Sequence, residues 1–191
     1  MERRNIQLAL KPQDVLVLVK LCGYASKSRP PYARIAQDVD MSVSEVSSSV
    51  KRLQNAKLLH PSKEFGEPAP ENSELPILAA VEEFLIHGVK YAFPSIKGMI
   101  VRGMPTSYAA EPLSRLLVSG EGPPPVWPDR NGIVQGIAFW PLYKSVPEAA
   151  KRDPLLYARL ALLDAIRDGG ARQRMIAEKE LIASLRNNIN V

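Results

Sequence analysis

The chain has a single cysteine and two histidines, and only 6% of its 191 residues are aromatic. One thiol excludes an internal disulfide framework and fits a reducing compartment. Cys22 stands at the end of an apolar helical stretch and reads as a core filler, not a reactive group. Glu83 and His87, four residues apart, would share a helical face. The other histidine, His60, is remote and no cysteine pair exists, so no metal site is expected. Also missing are the glycine-rich phosphate loop, the GxSxG elbow, the HExxH pair and the CxxC pair. Without them neither an enzyme nor a cofactor is expected. Long hydrophobic runs are absent too: VLVLVKLCGYA is broken by Lys20 and too short to span a bilayer, and the basic opening MERRN leads into no secretion signal. A cytoplasmic protein that does not enter membranes is expected.

What is present is a chain with 46% hydrophobic residues, ample for packed cores. Its net charge of +5 is unevenly spread. Residues 1–65 hold 11 Lys and Arg against 6 Asp and Glu, whereas residues 66–191 hold 14 of each sign. An excess gathered at one end is the footprint that a phosphate-binding module needs, because neutralising phosphates releases condensed counterions.

The basic end contains PYARIAQDVDMSVSEVSSSVKRLQNAKLL, from Pro31 to Leu59. Ile35, Ala36, Val39, Met41, Val46, Val50 and Leu53 form two short helical stripes broken at Asp40. Asp40 tolerates a left-handed backbone better than most residues. Ala36 lies where the two helices would cross, and its small side chain lets the backbones approach. Ser42-Val43-Ser44-Glu45 is a capping box that starts the second helix. Advancing about 100° per residue from Val46 puts Val50 and Leu53 inside, with Ser44, Ser48, Lys51, Arg52 and Asn55 pointing away. That outer face is small, polar and basic, suited to entering a major groove and holding phosphates.

This run resembles the winged helix-turn-helix of MarR-type bacterial regulators over roughly residues 12 to 60. The resemblance implies that Ser44, Glu45, Ser47 and Ser48 face bases while Lys51, Arg52 and Arg34 hold phosphates. Lys27 and Arg29, in the connection ASKSRPP, precede the first helix of the pair and would touch the DNA backbone. Ser42, Asn55 and Lys63 complete the expected DNA-facing set. The family usually has glycine where this chain has Asp40. Three prolines in HPSKEFGEPAPENS argue against a long two-stranded wing.

The remaining chain reads as helices with a small sheet. A first helix, Gln13 to Tyr24, precedes the pair. After the wing, a helix capped by Ser73 is expected from about Glu74 to Gly88. KYAFP, GMIVRG and GIVQGIAFWPL are short β-rich runs, TSYAAEPLSRLLVSG holds one short helix, and EGPPPVWP reads as a stiff surface crossing. Arg102, Gly103, Thr106, Ser107 and Tyr108 resemble an anion-binding turn less than an ordinary N-cap. Asp153, Asp164 and Asp168 read as caps and solvent-facing partners of Arg167 or Arg172. Asp153-Pro154 and Gly169-Gly170 bound an apolar helix, and an amphipathic one follows, with Met175, Ile176, Ile182 and Leu185 available for the body or for a second subunit.

The expected fold is α+β and mostly helical: a winged helix over residues 1–72, then a domain of helices with a small β-sheet over 73–191. The expected function is sequence-specific binding of duplex DNA by a transcriptional regulator. It would act as a homodimer held mainly through residues 74–191, with the 171–185 helix prominent. The layout also has a distant likeness to abortive-infection antitoxins, which implies an autorepressor with a cognate toxin as protein partner. The alternatives are a protein-interaction adaptor built on a winged helix, or an enzyme of unknown type in the C-terminal part.

Overall fold

The computed structural model describes residues 9–24, 29–61, 63–64, 67–68, 74–117 and 122–187, with 63–64 and 67–68 as backbone. The architecture is α+β and mostly helical, with one small three-stranded sheet. Among the described residues, no helix is long and apolar enough to cross a membrane.

Three helices open the chain: α1 (Pro12–Leu21), α2 (Tyr32–Val39) and α3 (Val43–Asn55). Pro12 takes the first position of α1, where its missing amide costs no hydrogen bond. Asp40 ends α2 in the left-handed conformation, φ 54° and ψ 53°, and its amide donates to the Ala36 carbonyl. Ser42 starts α3 as expected: its hydroxyl accepts from the Glu45 amide at 3.2 Å, and its own amide donates back to Glu45 Oε2 at 3.0 Å. After α3, a hairpin of two-residue strands, β1 (Lys63–Glu64) and β2 (Glu67–Pro68), stands where the wing was expected.

The stretch expected to be helical from Glu74 is instead extended at first. Leu59 bridges Pro76, the His60 amide donates to the Leu75 carbonyl, and the Ile77 amide to that of Leu58. Helix then runs through α4 (Leu78–Glu83), a π-helical turn (Phe84–Gly88) and α5 (Val89–Ala92). Gly88 therefore does not stop this helix. The Phe84 ring lies against it, so a Cβ there would sit 2.8 Å from Phe84 Cδ2. KYAFP contributes the end of α5 and not a strand.

The sheet is made of β3 (Lys97–Pro105), β4 (Pro125–Pro128) and β5 (Val134–Phe139). Each strand pairs with both others, so the sheet closes on itself. Ile100 faces Ile137 and Met104 faces Trp127 in antiparallel register, while Pro125 faces Ile137 in parallel register. Such tight closure needs strands without side chains at the crossings: a Cβ on Gly103 would collide with the Trp127 carbonyl, and one on Gly136 with that of Pro124. The proline strap is thus no surface crossing. Val126 and Trp127 are buried in it, and prolines at its ends need donate no amide. A 3-10 turn (Ser107–Ala109) and α6 (Leu113–Leu116) lie between β3 and β4.

The chain closes with α7 (Val146–Arg152), α8 (Pro154–Asp168) and α9 (Ala171–Asn187). Leu156, Leu160, Leu162, Leu163 and Ile166 of α8 are buried, as its apolar surround predicts. Ala177, Leu181 and Leu185 bury the apolar side of α9 in the body, leaving Met175 64% exposed. One cluster of buried side chains runs from Val15 of α1 through Val46 and Leu53 of α3 to Leu163 of α8 and Leu185 of α9. The core is therefore continuous across the boundary expected near residue 72.

Candidate nucleic-acid interface

The site expected from the sequence is the outward face of α3, and each side of that helix is spent differently. Val46, Val50 and Leu53 are fully buried against the core. About 100° per residue places Ser44, Ser48, Lys51 and Asn55 within about 40° of the opposite direction, and all four are exposed. Ser47 is half-buried. Lys57, in the turn after α3, is exposed as well and was not among the expected residues.

Glu45 and Arg52 lie on one flank, about 60–80° from the outward direction, and both are taken by the protein. Arg52 is only 8% exposed. It donates from Nε to Asp14 Oδ2 at 2.7 Å and from Nη2 to Asp14 Oδ1 at 2.6 Å, a bidentate pair with a fully buried carboxylate. Asp14 also accepts the Lys11 amide at the start of α1, so the pair ties α3 to α1. The expectation that Arg52 holds phosphate is therefore corrected. Its guanidinium satisfies a carboxylate that would otherwise be buried alone.

Arg29 is corrected in the same way. It is buried, pairs with Glu74 Oε2 at 2.9 Å and stacks over the Tyr32 ring at 3.9 Å, fastening the approach to α2 onto the segment after the hairpin. Glu45 is partly exposed but engaged within the chain: its Oε1 accepts the Tyr143 hydroxyl at 2.6 Å and its Oε2 the Ser42 amide and hydroxyl. The Tyr143 bond, followed by those from Ser42, holds the Glu45 carboxyl down at about 2. Ser42 itself is exposed but serves as the cap. Arg34 remains at the surface, its side chain 65% exposed and paired with Asp38 one turn on at 3.2 Å. Lys27 lies outside the described residues, and of Lys63 only the backbone is described.

The positive end of the sequence thus offers fewer surface cations than its composition suggests. Lys20 pairs with both Asp38 and Asp153, and Arg29 and Arg52 are internal. The outward set on and beside α3 is Lys51 with Ser44, Ser48, Asn55 and Lys57, and Arg34 on α2.

The other candidate clusters do not assemble. The Thr106 hydroxyl turns inward to Asp164 Oδ2 at 2.7 Å, and the turn after it is a three-residue 3-10 segment, so Arg102 to Tyr108 forms no helix N-terminus for an anion. Asp164 does not face solvent as expected. It is buried with Arg167, Thr106 and Trp127 as partners, and that burial pushes its carboxyl above the ordinary range. Asp153 caps α8 through the Leu156 amide, while Asp168 binds Ser95 and Lys97, so the three carboxylates do not converge. Burial also pushes the Cys22 thiol up to about 12, fitting a core position. Among the described residues, no group of three or more His, Cys, Asp or Glu is placed to hold a metal. Comparisons with protein-family models, with curated proteins and with solved structures find no match for this chain.

Proposed function

We propose that the protein is a winged helix-turn-helix transcriptional regulator that binds duplex DNA through the outward face of α3. The observation that carries this reading is the stripe Ser44, Ser48, Lys51 and Asn55, exposed on a helix whose opposite face, Val46, Val50 and Leu53, is fully buried. Short hydroxyl side chains let a helix sink into a groove about 12 Å wide, and serine pairs with several base edges. Ser44 and Ser48 then read bases, with Ser47 beside them, and Lys51, Asn55 and Arg34 hold phosphates. The short β1–β2 hairpin takes the place of the wing.

A single module of this kind buries only about 600–1,000 Å² on DNA, so the reading includes a two-fold dimer on an inverted repeat. The apolar side of α9 is spent within the protomer, so that helix contributes to a dimer only through outer residues such as Met175. Light scattering of the full chain, free and with DNA, tests this part; a monomer in both states removes it.

The main test is fluorescence anisotropy of a labelled duplex over a salt series. Retention at low salt should weaken steeply as salt rises. Lys51→Glu should reduce affinity by about tenfold at low salt through one reversed phosphate contact. A full chain that leaves the duplex free at low salt overturns the reading.

A further inference from the structure

The flank of α3 on which Arg52 turns inward is served from elsewhere in the chain. Between β5 and α7 runs the segment 140–145, which reaches across to the start of α3. Two hydrogen bonds hold it there. Tyr143 donates to Glu45 Oε1 at 2.6 Å, and the Ser145 hydroxyl donates to the Val39 carbonyl, also at 2.6 Å. Leu142, Ser145 and Val146 are buried, so the segment is anchored on both sides of its one exposed cation, Lys144.

The ammonium of Lys144 lies 5.8 Å from the Tyr143 ring centroid, and among the described residues it forms no ion pair. The Glu45 carboxylate, bonded by Tyr143 and Ser42, feels the Lys144 charge but forms no ion pair with it among the described residues. Lys144 is therefore an exposed positive charge on an anchored backbone, with no carboxylate in ion-pair contact among the described residues. Its anchor, Glu45, lies about 80° to one side of the outward direction of α3, and Lys51 about 40° to the other. A helix seated in the major groove has a phosphate strand on each side.

We infer that Lys144 is a phosphate-binding residue of the interface, supplying on one flank of α3 the cation that Lys51 supplies on the other. The ligand is the sugar-phosphate backbone of duplex DNA, contacted without regard to sequence. This rests on the reading of α3 as the DNA-binding helix and adds a contact from a segment some ninety residues away in the chain.

The test uses the full chain and two labelled duplexes of unrelated sequence, with salt slopes for wild type, Lys51→Ala, Lys144→Ala and Lys144→Arg. Lys144→Ala should lower the magnitude of the slope by about one unit and weaken binding several-fold on both duplexes alike. Lys144→Arg should keep the wild-type slope. Lys144 is exposed, so a circular dichroism melt should show the alanine variant folded. If wild type binds, Lys51→Ala weakens binding and Lys144→Ala retains the wild-type slope and affinity, this inference is wrong and the reading of α3 stands. If wild type binds neither duplex, both fall. A loss confined to one of the two duplexes also overturns it, because a phosphate contact does not distinguish sequences.

Discussion

The N-terminal helices and the C-terminal helix pair each bury an arginine, and they hold it in opposite ways. Arg52 on α3 meets a carboxylate, Asp14, in a bidentate pair. Arg159 on α8 meets none among the described residues: it donates to the Ser184 hydroxyl and carbonyl, and its Nη1 has no hydrogen-bond partner among them. Burial alone therefore does not say what an arginine does for a fold. A pair whose partner would be stranded is costly to break, whereas a guanidinium held by neutral groups leaves little behind. The same difference sorts the cations for DNA. Arg52 is spent on a charge and unavailable, while Lys51, beside it in sequence, has no such partner among the described residues and faces out.

Four measurements test this contrast. The largest effect should come from ending the chain at residue 73. The core cluster runs unbroken from α1 to α9, so the shortened chain should show no cooperative thermal unfolding by calorimetry. A sharp transition would mean that the first three helices have a core of their own. Next, Arg52→Ala should destabilise the full chain by about 3–5 kcal/mol, because it leaves Asp14 buried and uncompensated. Urea denaturation measures this, and a loss below about 1 kcal/mol would contradict the role given to the pair.

Arg159→Met should cost less, under about 2 kcal/mol. Two hydrogen bonds to Ser184 are lost, but no carboxylate is left alone. If it proves as damaging as Arg52→Ala, the contrast fails. The smallest effect concerns Glu45. Its folded carboxyl sits at about 2, below the value of about 4.3 for a free glutamate. A depressed carboxylate stabilises the folded state above the unfolded value, and this contribution disappears as pH falls from about 4.3 through about 2. Carbon-13 NMR should find Glu45 still ionised at pH 3.5, and Tyr143→Phe should raise its titration point. An ordinary titration in the wild type would mean that the Tyr143 contact does not persist in solution.

Much of α2 and α3 was legible because its determinants are local. The Asp40 turn, the Ser42–Glu45 cap and the alternation of Val46, Val50 and Leu53 all act within a few residues. What escaped depends on partners distant in sequence. Helical periodicity places Arg52 towards the outside, and only Asp14 on another helix turns it in. Glu45 looks like a groove-facing acid until Tyr143 arrives from the far half of the chain. The 74–88 helix starts later than expected because pairing with Leu58 to His60 keeps Leu75 to Ile77 extended, overriding local propensity. The proline strap departs from its expected surface course for a related reason. Prolines disfavour the interior of a sheet, but here the glycines of β3 and β5 make room for it, and that accommodation is visible only once the strands are paired.

Trp127, the buried residue of that strap, has a practical consequence. The chain has two tryptophans, Trp127 and Trp140. The indole of Trp127 is 1% exposed and donates to Asp164 at 2.6 Å, while Trp140 is 52% exposed. Intrinsic fluorescence should therefore have two separable components. One is reached by a dissolved quencher such as iodide and reports the surface beside β5. The other is shielded until the sheet opens, and it makes loss of the core visible without any label.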